Sequence, residues 1–536
     1  MIRDIVAEGV RGGWNVHDAS SFTADRHVAA DVVIIGTGAG GGTAAEILSR
    51  AGLRVVMLEE GPLKTSSDFK MLEREAYPNL YQESAGRRTK DQAINILQGR
   101  SVGGSTTVNW TSSFHTPSET LAYWRDQLGL LEFGEADLAP WFAMMERRLH
   151  IAPWAMHPNE NNDVLRQGAA KLGIPTRVIP RNVKGCRNLG YCGMGCPVNA
   201  KQSMLVTTIP AALAHGATLF SRIRAEKFLT DGPSIVKLEC RAMDAHGIEP
   251  LPYTLTVEAK HFVLAAGAIG SPAVLLRSKL PDPYQRAGKR TFLHPTLVSA
   301  AVMPQEVDGF SGAPQSIYSD HFLQTQPIDG PVGYKLEVPP LHPVLMSTTL
   351  VGYGKQHADL LAQAPHVQVM IALMRDGFHP QSQGGIVELK SDGTPLLDYP
   401  ITDYLWEGAR RALHTMAEIQ FAAGARAVLP LHEDATNYPT LEAAKNAIDA
   451  LPMAALRTRV VSAHVMGGCA MGEDPRTSVV DSYGNHHQVP NLSVLDGSIF
   501  PTSVGANPQL SIYGIISRNA SRLAENLTGK KPQPIA

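Results

Sequence analysis

The clearest hydrophobic pattern in the chain lies in its first sixty residues. Val32–Ile35 is an unbroken aliphatic run, which is typical of a strand buried on both faces of a parallel sheet. Thr43–Arg50 has the composition of a helix that ends before Gly52, and a second aliphatic run, Val55–Leu58, follows. This strand–helix–strand order predicts an α/β fold with a parallel sheet.

A second kind of pattern occupies the middle of the chain. Gly385–Leu389 has the period-two alternation of an antiparallel strand, whereas Gly408–Ala423 and Leu441–Leu451 have helical periodicity. We therefore expect an inserted domain built on an antiparallel sheet with helices, which makes the whole molecule α+β.

Two shorter signals lie nearer the predicted parallel sheet. Leu492–Leu495 is a mostly apolar strand that leads into Asp496. Ser271 followed by Pro272 has the form of an N-cap and a first helical residue, which predicts a helix over Ala273–Arg277.

Composition narrows the function classes. The chain has 536 residues, 44% hydrophobic residues and a net charge of −2, without a long basic run. This length predicts two domains or one large domain with an insertion, and the charge gives no support for nucleic-acid binding. No stretch approaches 18 apolar residues, so we expect no transmembrane segment. Five cysteines argue against a disulfide framework.

The N-terminus bears on localisation. Its first twenty residues carry early acidic residues and lack the apolar core of a secretory signal. We expect a cytoplasmic protein. The alternative is periplasmic export on a partner subunit's signal.

The predicted strand–helix–strand unit carries the signature of a dinucleotide site. Gly36, Gly38 and Gly41 form G-x-G-x-x-G directly after the first strand, and Glu59 ends the second. The first glycine permits a tight turn, the second lets a pyrophosphate approach the backbone, and the third lets the helix pack closely. The helix N-terminus favours phosphate, and Glu59 can accept hydrogen bonds from ribose hydroxyls. NAD and FAD both fit this unit.

Three further stretches decide between these cofactors. They are GRSVGGSTTVNW at 99–110, SAHVMGGCAMG at 462–472, and the C-terminal segment that begins NLSVLDGS at 491. Together with the N-terminal unit they resemble the glucose–methanol–choline family of FAD oxidoreductases. The resemblance implies a Rossmann-like FAD-binding domain with an inserted substrate domain.

The resemblance also implies roles for individual residues. Some family members attach FAD to a His that precedes the Asn of the GGS stretch; here that position is Val108, which predicts non-covalent FAD. The implied cofactor contacts run from the pyrophosphate and ribityl through the isoalloxazine to the adenosine. Their residues are Gly103, Gly104, Ser105, Asn109, Ala266, Gly267, Asp496, Gly497, Asn507 and Pro508.

The positions of these motifs imply a division of the chain into two domains. Residues 1–115, 201–300 and 461–536 are predicted to form the FAD-binding domain. Residues 116–200 and 301–460 are predicted to form the cap and substrate-binding domain. An insertion over the flavin is a natural place for a substrate pocket.

The resemblance points to a catalytic pair. His464 matches the family's catalytic histidine, and Asn507 stands where family members place a second His or an Asn. A histidine near neutral pKa suits the general base, and an amide suits the hydrogen bond to a developing oxyanion. His294 and the pair His486–His487 are interpreted as loop residues without a catalytic role.

Three of the five cysteines cluster in CRNLGYCGMGC, and this cluster has two interpretations. Cys186, Cys192 and Cys196 are candidate iron–sulfur ligands, because thiolates at short spacing followed by Pro hold many such clusters. A similar grouping occurs in the flavoprotein subunit of FAD glucose dehydrogenases, where a three-iron cluster relays electrons to a cytochrome. The stretch running into GCPVNAK also resembles sterol and long-chain alcohol oxidases, in which these cysteines are structural.

The sequence therefore predicts an FAD-dependent alcohol dehydrogenase or oxidase that acts on a CH–OH group, with an apolar or aromatic alcohol as substrate. The electron acceptor is oxygen, a quinone or a cytochrome. One alternative is a cluster-containing sugar dehydrogenase subunit that passes electrons to a cytochrome. A more remote alternative is a hydroxynitrile lyase that uses the flavin without redox chemistry.

Overall fold

The computed structural model describes residues 3–325 and 327–535. Its strands are β1 (Val16–Asp18), β2 (Arg26–Ile35), β3 (Val55–Leu58), β4 (Ile94–Ile96), β5 (Ile151–Pro153), β6 (Arg177–Val178), β7 (Pro180–Asn182), β8 (Thr218–Ser221), β9 (Ile223–Asp231), β10 (Ser234–Met243), β11 (Pro250–Leu264), β12 (Lys289–Phe292), β13 (Thr296–Val302), β14 (Ile317–Ser319), β15 (Tyr334–Glu337), β16 (Val367–Met374), β17 (Gly385–Leu389), β18 (Pro395–Asp398), β19 (Ala427–Pro430), β20 (Val460–Ser462), β21 (Met466–Gly467) and β22 (Leu492–Val494). Its helices are α1 (Ile5–Arg11), α2 (Ala39–Arg50), α3 (Glu73–Leu80), α4 (Ser105–Val108), α5 (Ser118–Leu128), α6 (Glu135–Arg148), α7 (Glu160–Lys171), α8 (Thr208–Ala214), α9 (Gly267–Ser278), α10 (Pro343–Thr349), α11 (Gly354–Ala362), α12 (Asp403–Ala422), α13 (Leu441–Ala450) and α14 (Gln509–Thr528).

The first large sheet has the order β1-β8-β3-β2-β11-β10-β9, and β22 pairs with β11. The pairings of β2 with β3 and with β11 are parallel, as are those of β3 with β8 and of β11 with β22. Helices α2 and α14 pack against each other, and both are largely buried. The predicted α/β fold with a parallel sheet is confirmed.

Helix α2 begins four residues before the predicted start, at Ala39. The intervening glycines are weak helix formers, so the composition does not indicate a helix there. They are helical because the helix lies against neighbouring backbone. A Cβ on Gly40 would lie 1.9 Å from the Leu495 carbonyl oxygen, and one on Gly41 would lie 2.0 Å from that of Gly36.

The second large sheet has the order β4-β20-β13-β16-β15-β14-β6, with β19 beside β13. Its long central strands β13, β16 and β15 are antiparallel, and α12 contacts both β13 and β16. The strand predicted at Gly385–Leu389 is confirmed as β17, which lies in a separate four-stranded sheet. The two predicted helices are confirmed as α12 and α13, although α12 begins at Asp403.

The strands of the second sheet come from segments of both predicted domains. The boundaries at 300/301 and 460/461 fall inside β13 and β20, which are both strands of the second sheet. Strand β4 also joins that sheet, although it lies within the 1–115 segment. The second sheet thus includes strands from segments that were predicted to belong to the FAD-binding domain.

The predicted start of the helix at Ser271 is wrong, because α9 already begins at Gly267. The hydroxyl of Ser271 accepts a hydrogen bond from the Ala266 N–H and donates one to Asp496, at 3.0 and 2.6 Å. Pro272 lies within the helix. A serine before a proline has the same local pattern whether the serine caps a helix or makes a tertiary contact.

Among residues 3–325 and 327–535, no helix has both the length and the apolar composition that crossing a bilayer requires.

Candidate active site

A cavity of about 780 Å³ lies between the two large sheets. One side is formed where β2, β11 and β22 end, because these parallel strands deliver their carboxyl ends to the same edge. Residues that follow these three ends line the cavity, namely Gly36, Ala266 and Asp496. The opposite side is one face of the second sheet.

The glycine-rich turn forms a cradle for a pyrophosphate. Gly36 has a φ of +97°, and a Cβ there would lie 2.3 Å from the Ala265 carbonyl oxygen. Gly104 has a φ of +54°, and its Cβ would lie 2.7 Å from the Gly38 Cα. The turn after β2 and the loop before α4 thus pack backbone against backbone, and glycine leaves room for this contact. Gly38 caps α2, so the free N–H groups of the helix face the cavity. These features fit the phosphates of a dinucleotide.

Glu59 ties this cradle together. Its carboxylate accepts hydrogen bonds from the Thr37 N–H at 3.1 Å, the Thr37 hydroxyl at 2.6 Å and the Gly61 N–H at 2.9 Å. The Thr37 hydroxyl in turn accepts from the Gly103 N–H at 3.0 Å. Burial raises the pKa of Glu59, although these donors oppose the shift. Glu59 lines the cavity, and a carboxylate with three acceptor contacts still has a lone pair for a ribose hydroxyl.

Asp496 lies just after β22 and, like Glu59, joins neighbouring turns through a buried carboxylate. Its carboxylate accepts from the Gly267 N–H at 2.8 Å, the Ser271 hydroxyl at 2.6 Å and the Ser498 N–H at 2.8 Å. Burial raises the pKa of this carboxyl group. The side chain thus fixes the start of α9 and the turn after β22 to each other.

Most residues predicted to bind the cofactor line the same cavity, and two do not. Gly41 is buried where α2 packs on the strand, as its predicted role requires. Gly103 lies behind the loop, where a Cβ would be 2.4 Å from the Thr107 hydroxyl. The predicted site residues that line the cavity are Gly36, Gly38, Glu59, Gly104, Ser105, Asn109, Ala266, Gly267, His464, Asp496, Gly497, Asn507 and Pro508.

Two polar contacts hold the loop that carries Asn109. The amide of Asn109 donates to Gln509 at 2.7 Å, which links the loop to the start of α14. The buried ammonium of Lys201 donates to the carbonyls of Thr107, Asn109 and Cys192 at 2.8, 2.6 and 2.6 Å. Burial lowers the pKa of Lys201 to about 8.

The cysteine loop has structural contacts on several sides. The Cys192 sulfur lies 3.6 Å from the buried guanidinium of Arg181, and the Tyr81 hydroxyl donates to the Gly193 carbonyl at 2.7 Å. All five cysteines are free thiols. Within the described part of the chain, no three Cys, His, Asp or Glu side chains are arranged to hold a metal ion. The iron–sulfur interpretation of Cys186, Cys192 and Cys196 therefore has no support here.

His464 lies in the connection between β20 and β21 and lines the cavity. Its Nδ1 is 3.2 Å from Nδ1 of His294, whose Nε2 accepts the Gly505 N–H at 3.0 Å. Burial lowers the pKa of His464 to about 3, with Lys335 acting in the same direction. Burial also holds the pKa of His294 well below its usual range. Both imidazoles are therefore neutral at physiological pH.

This chain of contacts fixes the resting tautomers. Because the Gly505 N–H is a donor, neutral His294 carries its proton on Nδ1 and donates it to His464. Neutral His464 then carries its own proton on Nε2. His294 was interpreted as a loop residue without a role, and that interpretation missed its contact with His464. A single His in FLHPT gives no sequence signal for such a contact.

Asn507 precedes α14 and joins a buried ion pair. Its side-chain oxygen accepts from the Lys335 ammonium at 3.1 Å, and its amide nitrogen donates to Glu337 at 3.1 Å. The Lys335 and Glu337 charges lie 3.0 Å apart. Sequence reasoning missed this pair. The available signal was two opposite charges two residues apart in a strand whose neighbours are apolar.

One lobe of the cavity, against the second sheet, has a mostly apolar wall. In the register of the second sheet, Val298 pairs with Ile371 and Lys335 pairs with Leu373, so these side chains share one face. Helix α10 contributes to the opposite side. The apolar lining of this lobe consists of Val298, Pro339, Pro340, Leu341, Leu345, Leu350, Val369, Ile371, Leu373, Leu431 and Val461.

The fold and the site define a dinucleotide-binding oxidoreductase with a His and an Asn beside an apolar lobe. Two family models, both described as GMC oxidoreductase, match residues 77–296 and 380–515 respectively. The chain belongs to the GMC oxidoreductase family, and it is an FAD-dependent oxidoreductase that acts on CH–OH donors.

Individual relatives agree with this assignment. A GMC-type oxidoreductase of Mycobacterium tuberculosis is 31% identical over 507 residues, which cover 93% of this chain and 76% of that protein. A long-chain-alcohol oxidase of Arabidopsis thaliana is 28% identical over 529 residues, which cover 93% of this chain and 68% of the oxidase. Formate oxidase of Aspergillus oryzae has the same fold, with a TM-score of 0.69, 14% identity and coverage of 94% and 100% of the two chains.

Proposed function

We propose that the protein oxidises an apolar alcohol to an aldehyde or ketone, with His464 as the base and Asn507 as the hydrogen-bond donor to the substrate oxygen. When bound, FAD supplies the hydride acceptor. The observation that carries the proposal is the position of these two side chains on one cavity, next to an apolar lobe. The backbone also links the two side chains. Gly505, two residues before Asn507, donates its N–H to His294, and His294 contacts His464.

His464 is neutral and so can accept a proton, and its lowered pKa makes it a weak base in the resting site. To accept at Nε2, His464 must move its own proton to Nδ1, and His294 must then give up the hydrogen bond from Gly505. The Gly505 N–H and the new Nε2–H of His294 then face each other unpaired, and each buried unpaired group costs about 1–3 kcal/mol. A positioned base contributes about 10²–10⁴-fold in rate, or about 3–5 kcal/mol. The gain and the combined cost are of similar size, so the resting tautomer does not exclude the base role.

The lining of the lobe supports an apolar substrate. An apolar wall excludes water and stabilises a hydrocarbon by about 25 cal/mol per Å² of buried surface. A sugar would leave several hydroxyls unpaired against the same wall, and each unpaired group is costly. The Arabidopsis relative, named a long-chain-alcohol oxidase, agrees with this class.

We also propose that FAD is bound non-covalently and that oxygen is the electron acceptor. Val108 lines the cavity and has no nucleophilic atom for a flavin linkage. The acceptor assignment follows the relatives that are named oxidases. Acid precipitation should release the flavin into the supernatant, and one H₂O₂ should form per aldehyde.

Two variants at one position test the base. His464→Ala should lower the anaerobic rate of flavin reduction by about 10²–10⁴-fold, with FAD content unchanged. His464→Gln keeps an N–H donor but has no basic nitrogen, so it should be as slow as the alanine variant. If His464→Gln instead retains most of the wild-type rate, His464 acts as a donor and the base assignment is wrong.

A further inference from the structure

We propose that Lys335 and Glu337 are positioning residues that hold the Asn507 amide in one orientation, with an N–H directed at the substrate oxygen. The inference rests on the proposed function of Asn507. It extends that function to two residues of the second sheet that have no contact with the dinucleotide cradle in the structure.

The strand register places this ion pair under the substrate lobe. Lys335 pairs with Leu373 and Glu337 pairs with Ile371, and paired residues of antiparallel strands point to the same face. Leu373 and Ile371 line the cavity. The side chains of Lys335 and Glu337 are only 3% and 0% exposed. Two opposite charges are thus buried in a face that is otherwise apolar around them.

The network determines which way the amide faces. The Asn507 oxygen accepts from the Lys335 ammonium, and its nitrogen donates to the Glu337 carboxylate, each at 3.1 Å. A flipped amide would direct N–H groups at the ammonium and its oxygen at the carboxylate, and both contacts would be repulsive. The amide nitrogen has two hydrogens, of which Glu337 takes one. Since Asn507 lines the cavity, the second is available to the substrate.

Aromatic faces hold the ammonium in place. The Lys335 nitrogen lies 2.9 Å from the centroid of the Phe114 ring and 4.6 Å from that of Tyr318. Such contacts stabilise a cation that has lost water. A buried ion pair is often no more stabilising than apolar residues of similar volume. Stability therefore does not explain why these charges are buried here. The orientation of the Asn507 amide does explain it.

The test removes the pair in two backgrounds. Lys335→Met/Glu337→Leu replaces both charges by apolar side chains of similar size, so that folding and FAD content are preserved. With 1-decanol, the anaerobic rate of flavin reduction should fall about tenfold, because the freed side chain then samples several rotamers, of which about one in ten directs an N–H at the substrate oxygen. In the Asn507→Ala background the same double substitution should change the rate less than twofold. An equal fall in both backgrounds, or no fall in either, would overturn the proposal.

Two further variants separate positioning from a structural effect. Glu337→Gln keeps an oxygen that accepts from Asn507, so it should retain at least a third of the wild-type rate; a loss as large as that of the double variant would contradict the proposal. Lys90→Met removes the exposed ion pairs of Lys90 with Glu388 and Asp398, and it should leave the rate unchanged. A fall in Lys90→Met as large as in the double variant would assign the effect to general destabilisation.

Binding of decanoate, followed by the visible spectrum of the oxidised flavin, separates this inference from the proposed function. If no alcohol reduces the wild-type flavin, the proposed function fails, while decanoate still reports on the amide. Loss of the pair should raise the Kd of decanoate about tenfold in the wild-type background and leave it unchanged with Asn507→Ala. Equal Kd values with and without the pair, in the wild-type background, would refute the positioning role.

Discussion

At the scale of single residues, the structure keeps several imidazoles neutral by burying them. Burial lowers the pKa of His261 and of His486 to about 4, and that of His464 to about 3. His261 lies in β11, and its Nε2 contacts the Ser493 hydroxyl at 2.9 Å. Because it lies away from the cavity, its effect on stability can be measured without disturbing the site.

The sign of the His261 effect follows from its lowered pKa. Below the ordinary histidine pKa near 6.5 the unfolded chain binds a proton, whereas the folded protein binds it only near pH 4. This contribution to stability is therefore complete above pH 6.5 and falls as the pH drops toward 4. Between pH 7 and 5 the loss amounts to about 2 kcal/mol.

His261→Gln should remove this part of the pH dependence. In urea unfolding of the holoenzyme, the decrease in unfolding free energy from pH 7 to 5 should be smaller by about 2 kcal/mol than in the wild type. His27→Gln, an exposed position on the neighbouring strand β2, is the matched control and should leave the decrease unchanged. The same decrease in His261→Gln and in the wild type would show that His261 does not titrate in this way.

At the scale of elements, one buried lysine joins the cysteine loop to helix α4 and the residue that follows it. Lys201 donates to carbonyls of Thr107 and Asn109 on one side and of Cys192 on the other. This ammonium explains how a segment with three free thiols is held beside the predicted flavin loop. The cysteines themselves contribute packing and a contact with Arg181.

Lys201→Met should destabilise both loops. The substitution leaves three carbonyls without a donor, and each unsatisfied buried group costs about 1–3 kcal/mol. We expect a lower melting temperature and a higher Kd for FAD. Lys355→Met, in the exposed helix α11, should change neither. A Lys201→Met protein with wild-type melting temperature and FAD affinity would contradict the role of this lysine.

At the scale of the whole molecule, the sequence predicts the parallel sheet and most of its ligand edge. Aliphatic runs and the spacing of Gly36, Gly38 and Glu59 are local features, and in the structure these three residues line one cavity. His464 and Asn507 could be assigned because their surrounding segments resemble a family.

Contacts between distant segments could not be predicted in this way. His294 lies 170 positions from His464, and Lys335 lies 172 positions from Asn507. The sequence around His294 or Lys335 has no periodicity or motif spacing that indicates the distant residue it contacts. Pairing between distant segments also brings β4 and β20 together in the second sheet, which local sequence does not report.

The most direct test of the account is anaerobic flavin reduction by alcohols of increasing chain length. We predict that the flavin absorbance near 450 nm is bleached by linear primary alcohols, and that the second-order rate constant rises with chain length as the apolar lobe is filled. Each buried CH₂ contributes about 0.8 kcal/mol, or about fourfold. Glucose should be a poor reductant. Rapid reduction by glucose with no response to any apolar alcohol would contradict the proposed substrate class, and no reduction by either would contradict the assigned reaction.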